Sequence, residues 1–176
     1  MANREALREL QTRLASRLKV AHSEGVSPSW LAVKAGEANY LFPLAQSGEI
    51  FSLAPVQPVP YCHPWFMGVV NLRGGLYGVV DLASFTGDRR SGVLTEQALS
   101  ESNLITFNGA LELNCALMVD GLAGLRKREA FLDAVAPPAG SPSYFGLRFT
   151  DLSGKFWQEI NLQSLAQLPE FLVISA

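Results

Sequence analysis

Two cysteines and two histidines carry the chain's soft and near-neutral titrating chemistry, and their placement argues against a reactive centre. Cys62 stands beside His63 in a proline-rich stretch, which invites a thiolate–imidazole reading. Neighbours in an extended segment point to opposite sides, so the hydrogen bond that activates such a nucleophile is not available to them. Cys62 and Cys115 are far apart and lack metal-ligand spacing. Cys115, inside an apolar run, reads as a small core residue. His22 falls near the end of an expected helix, where a cation suits the dipole. Asp81 and Asp120 each close an apolar run and resemble a carboxylate pair only on paper; strand ends fit capping of the following turn better. Gly74-Gly75 and Gly124 are isolated, so no phosphate-cradling loop is present. No Gly-x-Ser-x-Gly elbow occurs. Catalytic sets can be scattered through a sequence, but on its motifs the chain is expected to be no enzyme, with no metal and no cofactor.

The stretch from Gly68 to Gly87 is more informative. Two β-branched runs flank Gly74-Gly75, a strong local hairpin signal. A two-residue turn at Gly74-Gly75 sets Arg73 opposite Leu76, Asn71 opposite Gly78 and Val70 opposite Val79. Side chains alternate between faces. Val70, Leu72, Tyr77 and Val79 then form a core face. The other face carries Val69, Asn71, Arg73, Leu76, Gly78 and Val80. A cation and an amide among aliphatics is the composition of a protein interface. It is equally the composition of a half-exposed strand with a solvated arginine, and spacing alone leaves both readings open.

Asn71-Leu72-Arg73-Gly74, the aliphatic run after it, Val80-Asp81-Leu82 and Gly87 together resemble the signature of the CheW family of chemotaxis adaptors. Flanking stretches are similar to the PilI branch of that family, from type IV pilus (twitching) signalling. They are Trp30-Leu31-Ala32-Val33, Leu41-Phe42-Pro43-Leu44, Gly48-Glu49-Ile50, Pro58-Val59-Pro60, Pro64-Trp65-Phe66 and Leu76-Tyr77-Gly78-Val79. The resemblance implies a non-catalytic scaffold that ties a chemoreceptor tip to the regulatory domain of a CheA-type histidine kinase. It implies an all-β fold of two small SH3-like five-stranded barrels, closed and packed together, over 28–90 and 100–162. It also implies partner contacts at Glu49, Ile50, Asn71 and Arg73, to which the hairpin face adds Val69, Leu76 and Val80. Gly68, Gly74 and Gly75 then serve backbone geometry, and Asp81 and Asp120 mark strand ends. Arg73 is the leading contact, since a guanidinium tolerates partial burial and offers a fork to carboxylates or carbonyls; Glu49 is either a second contact or its intramolecular partner. Cys115 to Leu122 resembles a second family landmark, with Ala116 and Gly121 as departures from it.

These residues need elements to position them. The chain has 176 residues, 48% hydrophobic and 17% charged, with 15 Gly and 10 Pro. Short apolar runs cut by Gly and Pro favour an all-β class. Strands are expected at 29–34, 40–44, 49–53, 103–107, 111–119, 144–150 and 156–162. Asn108-Gly109 reads as a type I′ turn. Ala54 to Pro64 holds four prolines and reads as an extended crossing loop. Asn3 to His22 reads as a helix with a Leu7, Leu10, Leu14, Leu18 stripe. Residues 88–102 read as a polar join, Arg126-Lys127-Arg128 as a solvated loop, and 163–176 as an apolar tail. Asn161-Leu162-Gln163-Ser164-Leu165 echoes Asp81-Leu82-Ala83-Ser84-Phe85, a faint internal repeat.

A net charge of −2 with mixed signs points away from nucleic acid and anionic membrane surfaces. No apolar run of about 18 residues exists and the charged start lacks a signal segment, so a cytoplasmic protein without membrane insertion is expected, recruited to receptor arrays through its partners. The rival expectation is a small-ligand-binding or receptor-modifying domain on a β scaffold. A deep polar pocket would favour that rival, and a shallow apolar groove rimmed by Arg73 the adaptor.

Overall fold

Strands that are apolar on every residue must be buried on both faces, and the run Trp30-Leu31-Ala32-Val33 shows how this chain does it. In the structure, a computed structural model that describes residues 28–88 and 94–176, Trp30 and Ala32 point into one core and Leu31 and Val33 into another. The expected N-terminal helix with its leucine stripe lies outside the described residues.

In chain order the elements are β1 (Ser29–Ala35), β2 (Ala38–Pro43), β3 (Ser47–Ser52), β4 (Phe66–Leu72), β5 (Gly75–Asp81), α1 (Leu82–Thr86), α2 (Glu96–Glu101), β6 (Asn103–Phe107), β7 (Cys115–Val119), β8 (Gly121–Lys127), β9 (Phe131–Val135), β10 (Phe145–Asp151), β11 (Phe156–Ile160), α3 (Leu162–Ala166) and α4 (Pro169–Leu172). They form a six-stranded sheet in the order β8-β1-β2-β11-β10-β9 and a five-stranded sheet in the order β3-β6-β7-β5-β4. Each is antiparallel except for one central parallel pair, β2 with β11 and β5 with β7.

The grouping of strands differs from the expected halves at 28–90 and 100–162. The five-stranded sheet is one continuous segment, inserted between β2 and β8 of the six-stranded sheet. Each sheet curls around its own core. Trp30, Leu41, Phe131, Phe149 and Trp157 fill the six-stranded one, with Trp30 and Phe131 both 4.9 Å from the Phe149 ring centroid. Val70, Leu72, Val79, Leu104, Ala116 and Met118 fill the other. A third core, including Leu31, Val33, Phe42, Val80, Ile105, Leu117, Ile160 and Phe171, joins the two sheets. Neither sheet closes into a barrel by hydrogen bonds, which corrects the closed barrels expected above: the ladders end at β8 and β9 in one and at β3 and β4 in the other.

The echoed pentapeptides are matching corners. Asp81 and Asn161 are the N-cap positions of α1 and α3, and Leu82 and Leu162, one residue on, are both fully buried in the shared core. Asn161 Oδ1 accepts the Ser164 N–H at 3.0 Å. The Asp81 carboxylate instead takes the Ser84 hydroxyl at 2.5 Å.

Three local expectations fail for physical reasons. Asn108-Gly109 does not form a type I′ turn, because Asn108 Oδ1 accepts the Ala110 N–H at 2.9 Å and starts a 3-10 turn over Gly109–Leu111. β7 therefore begins at Cys115 rather than 111. The polar join contains α2, whose N-cap Thr95 accepts the Ala98 N–H at 3.1 Å. Arg126 and Lys127 lie in β8, paired along β1, rather than in a loop.

Candidate protein-binding surface

The hairpin of β4 and β5 turns one residue earlier than its two glycines indicate. Asn71 pairs with Leu76 and Leu72 with Gly75, so the turn residues are Arg73 and Gly74. Their φ angles are +49° and +84°, the left-handed pair that a type I′ turn requires. Asn71 sets this register: its Oδ1 accepts the Gly74 N–H at 3.0 Å, a side-chain turn that asparagine makes readily. The shift preserves the face assignment for Asn71 and Leu76, because the pairing moves by an even step.

Arg73 thus stands at a turn tip, with its side chain 74% exposed. Its Nη1 lies 3.0 Å from Glu49 Oε2, and its guanidinium sits 5.6 Å from the Phe51 ring centroid. Glu49 and Phe51 are alternate residues of β3, the opposite edge of the same sheet. The Arg73 clasp therefore draws together two edges that share no ladder. Both partners are largely exposed, so the ion pair contributes about 0–1 kcal/mol. Phe51 was not signalled by any motif; its place two residues from Glu49 on one strand face is the clue.

The chain beyond β3 completes the seal. Gln57 and Val69 exchange backbone hydrogen bonds of 2.8 and 2.9 Å. Gly68 permits this crossing: its φ is +133° and a Cβ there would lie 2.1 Å from the Gln57 carbonyl oxygen. Gly75 opens β5 against the Tyr77 ring, where a Cβ would sit 2.9 Å away.

The expected contact residues divide. Glu49, Ile50, Asn71, Arg73 and Leu76 are all exposed, with Ile50 at 45% and Leu76 at 63%; the ion pair brings Glu49 to Arg73, while Ile50 points to the other face of β3 from Glu49. Val80 is a correction. At 1% exposed it lies in the shared core, because β5 is covered on both faces and Val79 already occupies the other one. Val69 is half-buried and, with Val80 in its floor, lines an apolar groove of about 280 Å³ walled by Leu113, Phe171 and Leu172. Arg73 does not line that groove, so rim and groove are separate features rather than one. The tail forms the groove wall because its backbone is held: His63 N–H bonds Ile174 O at 2.8 Å, and Ala176 N–H bonds Tyr61 O at 3.1 Å.

The residues first weighed for chemistry are occupied structurally. The Cys62 thiol engages the Pro60 carbonyl, while the His63 ring stacks on Trp65 at 5.3 Å. Cys115 is buried, and burial pushes its thiol up to about 12, so it holds no thiolate at neutral pH. Asp120 Oδ2 accepts the Gly36 N–H at 2.6 Å and pins the β1–β2 turn, while Asp81 takes the Ser84 hydroxyl. Among the described residues no three His, Cys, Asp or Glu side chains gather as a metal site.

A family model described as "CheW-like domain" matches residues 29–170. Among solved structures, the scaffolding protein TtCheW from Thermoanaerobacter tengcongensis is similar at a TM-score of 0.61 and 16% identity, over 77% of this chain and 89% of that one. At that identity the likeness speaks to the fold, a mostly β chain in the two-subdomain SH3-like arrangement. No curated protein matches the chain.

Proposed function

The chain belongs to the family of CheW-like domains, and from that membership we propose that it is a non-catalytic adaptor coupling the cytoplasmic tip of a chemoreceptor-like sensor to the regulatory domain of a CheA-type histidine kinase. The observation that carries the reading is the exposed Arg73 turn, paired with Glu49 and lying over Phe51. An exposed arginine set between a carboxylate and an aromatic ring is a residue type that anchors interfaces. The apolar groove beyond Val69 is a second, separate surface, which a coupler of two partners requires. The pilus-motility setting rests on the PilI-like stretches, chiefly Trp30 to Val33 and Pro64 to Phe66. No helix among the described residues is long and apolar enough to cross a membrane, so placement at a receptor array falls to the sensor partner.

The rival, a small-ligand or receptor-modifying domain, calls for a deep polar pocket. The groove beside the hairpin is apolar and of about 280 Å³ but is not rimmed by Arg73, and the polar cleft of about 470 Å³ on the six-stranded sheet lies open rather than deep, so the family membership, and not a pocket, favours the adaptor. Co-purification with the receptor tip and the kinase regulatory domain of the same genome tests the proposal. Recovery of a ternary complex is the expected result. Failure to retain either partner, at concentrations where each is folded, overturns it.

A further inference from the structure

The far side of the six-stranded sheet carries a different feature. β2 and β11 run parallel, but only Gln158 with Tyr40 and Glu159 with Leu41 pair across them. Toward their N-terminal ends the two strands part. The gap is a surface cleft of about 470 Å³ that includes Ala38, Asn39, Arg148, Lys155, Phe156 and Gln158 in its lining.

Its chemistry is unbalanced in one direction. Arg148 lies over the Phe156 ring at 5.8 Å and Lys155 over the Trp157 ring at 5.5 Å. Neither makes an ion pair among the described residues, where the one ion pair is Arg73 with Glu49. Glu37 is the one acid in the lining, set against these two cations. Two cations against one carboxylate in one cleft of a chain with net charge −2 are a local excess of positive charge. The floor adds a second, independent observation. Gln158 is only 8% exposed. Its Nε2 donates to the Gly146 and Glu159 carbonyls at 3.0 and 2.9 Å, so the orientation of the amide is set. Its Oε1 has no hydrogen-bond partner, and a buried acceptor left without a donor is an exception that calls for one.

We propose that this cleft docks an acidic, extended segment of a partner protein. Carboxylates of the segment meet Arg148 and Lys155, where a guanidinium gives charge-assisted, two-pronged hydrogen bonds. A donor on the segment, such as a backbone N–H, meets Gln158 Oε1 as Phe156, itself 61% exposed, moves aside. An extended chain suits the space because two strand starts border it where their own pairing has stopped. A small metabolite suits it less, since small-molecule sites enclose most of the ligand surface and this cleft lies open on the sheet. The inference is independent of the adaptor reading and uses none of its residues.

The test is an NMR titration of the full-length, ¹⁵N-labelled protein with acetylated, amidated hexaglutamate, with citrate as a small polyanion in parallel. The expected result is a shift of the Gln158 side-chain amide and of the Arg148 and Lys155 backbone amides with hexaglutamate. Binding should weaken at least tenfold in Arg148→Gln/Lys155→Gln, with unchanged amide shifts around Trp157, the core ring under Lys155, showing that the fold is kept. No shift at millimolar peptide overturns the proposal, as does an equal response in the double variant. An equal response to citrate at the same concentration also overturns it, because the cleft then reads charge without reading a chain.

Discussion

Arg73 occupies a backbone conformation that its side chain does not favour. Holding a non-glycine residue at positive φ is unfavourable by about 1–2 kcal/mol, and such outliers cluster where function over-determines them. Glycine would suit the turn better, yet an arginine stands there. Arg73→Gly should therefore change stability by less than about 1 kcal/mol, strain relief offsetting the lost ion pair, while abolishing partner binding. Arg73→Glu should do the same to binding with a change below about 0.5 kcal/mol; a large fall in melting temperature in either variant would show that Arg73 is structural. The swap Arg73→Glu with Glu49→Arg separates the remaining roles. Restored binding means that the partner needs the clasp, and lost binding means that it needs the guanidinium at the tip. Tyr40 offers a residue-scale prediction of stability. Burial, and then its hydrogen bond to the Asp88 carboxylate, raise its pKa above the ordinary 10.0. The folded state keeps the phenol neutral after the unfolded chain has begun to ionise. Its contribution is therefore fully present below pH 10 and lost as pH rises above it. Denaturation midpoints should fall above pH 10, and less steeply in Tyr40→Phe.

At the scale of elements, Gly68 shows what a sequence reveals and what it conceals. Its place ahead of Asn71-Leu72-Arg73-Gly74 marked it as a backbone residue, but the reason, a crossing of the Gln57 carbonyl, ties β4 to the proline-rich loop that precedes it. Gly68→Ala should destabilise by about 2 kcal/mol or more, through a positive φ and a close contact together; an unchanged midpoint in urea would mean that the 54–64 loop is not held to β4. The β4–β5 hairpin was legible because glycines and β-branched runs act locally. Its register was not, because the side chain of Asn71, rather than the glycine pair, selects the turn. Asn108 misled in the same way. β9 and β8 escaped notice for another reason. As the edge strands of their sheet they bury little, with Leu132 and Leu125 both 65% exposed, and Gly121 and Gly124 in β8 and Asp133 in β9 break up their apolar residues, unlike the unbroken runs of β1 and β7. Val80 looked like a surface residue because alternation assigns a face without saying what covers it.

The whole molecule offers partners two separable surfaces, the Arg73 tip and the groove walled by the tail. Each is small, so contacts near or below about 1,200 Å² are expected, with strength in an assembly coming from many linked contacts. Receptor tip and kinase regulatory domain should bind together; if each displaces the other, the adaptor reading fails even though both bind singly. The nesting of one sheet inside the other has a consequence for biogenesis. A ribosome releases β1 and β2 first, yet β2 must wait for β11, and Ser29 of β1 for Lys127 of β8. The inserted sheet, residues 47–119, carries all of its own ladder partners, so its hydrogen bonds can form before β8 to β11 emerge, while Val80, Ile105 and Leu117 still await the shared core. The nascent chain is therefore expected to mature from its middle outward, with the outer edges of the β1–β2 hairpin open until β8 and β11 arrive. Non-local pairing of that kind is slow and leaves edges open to wrong partners. Translation itself sets how long the Trp30 run stays exposed.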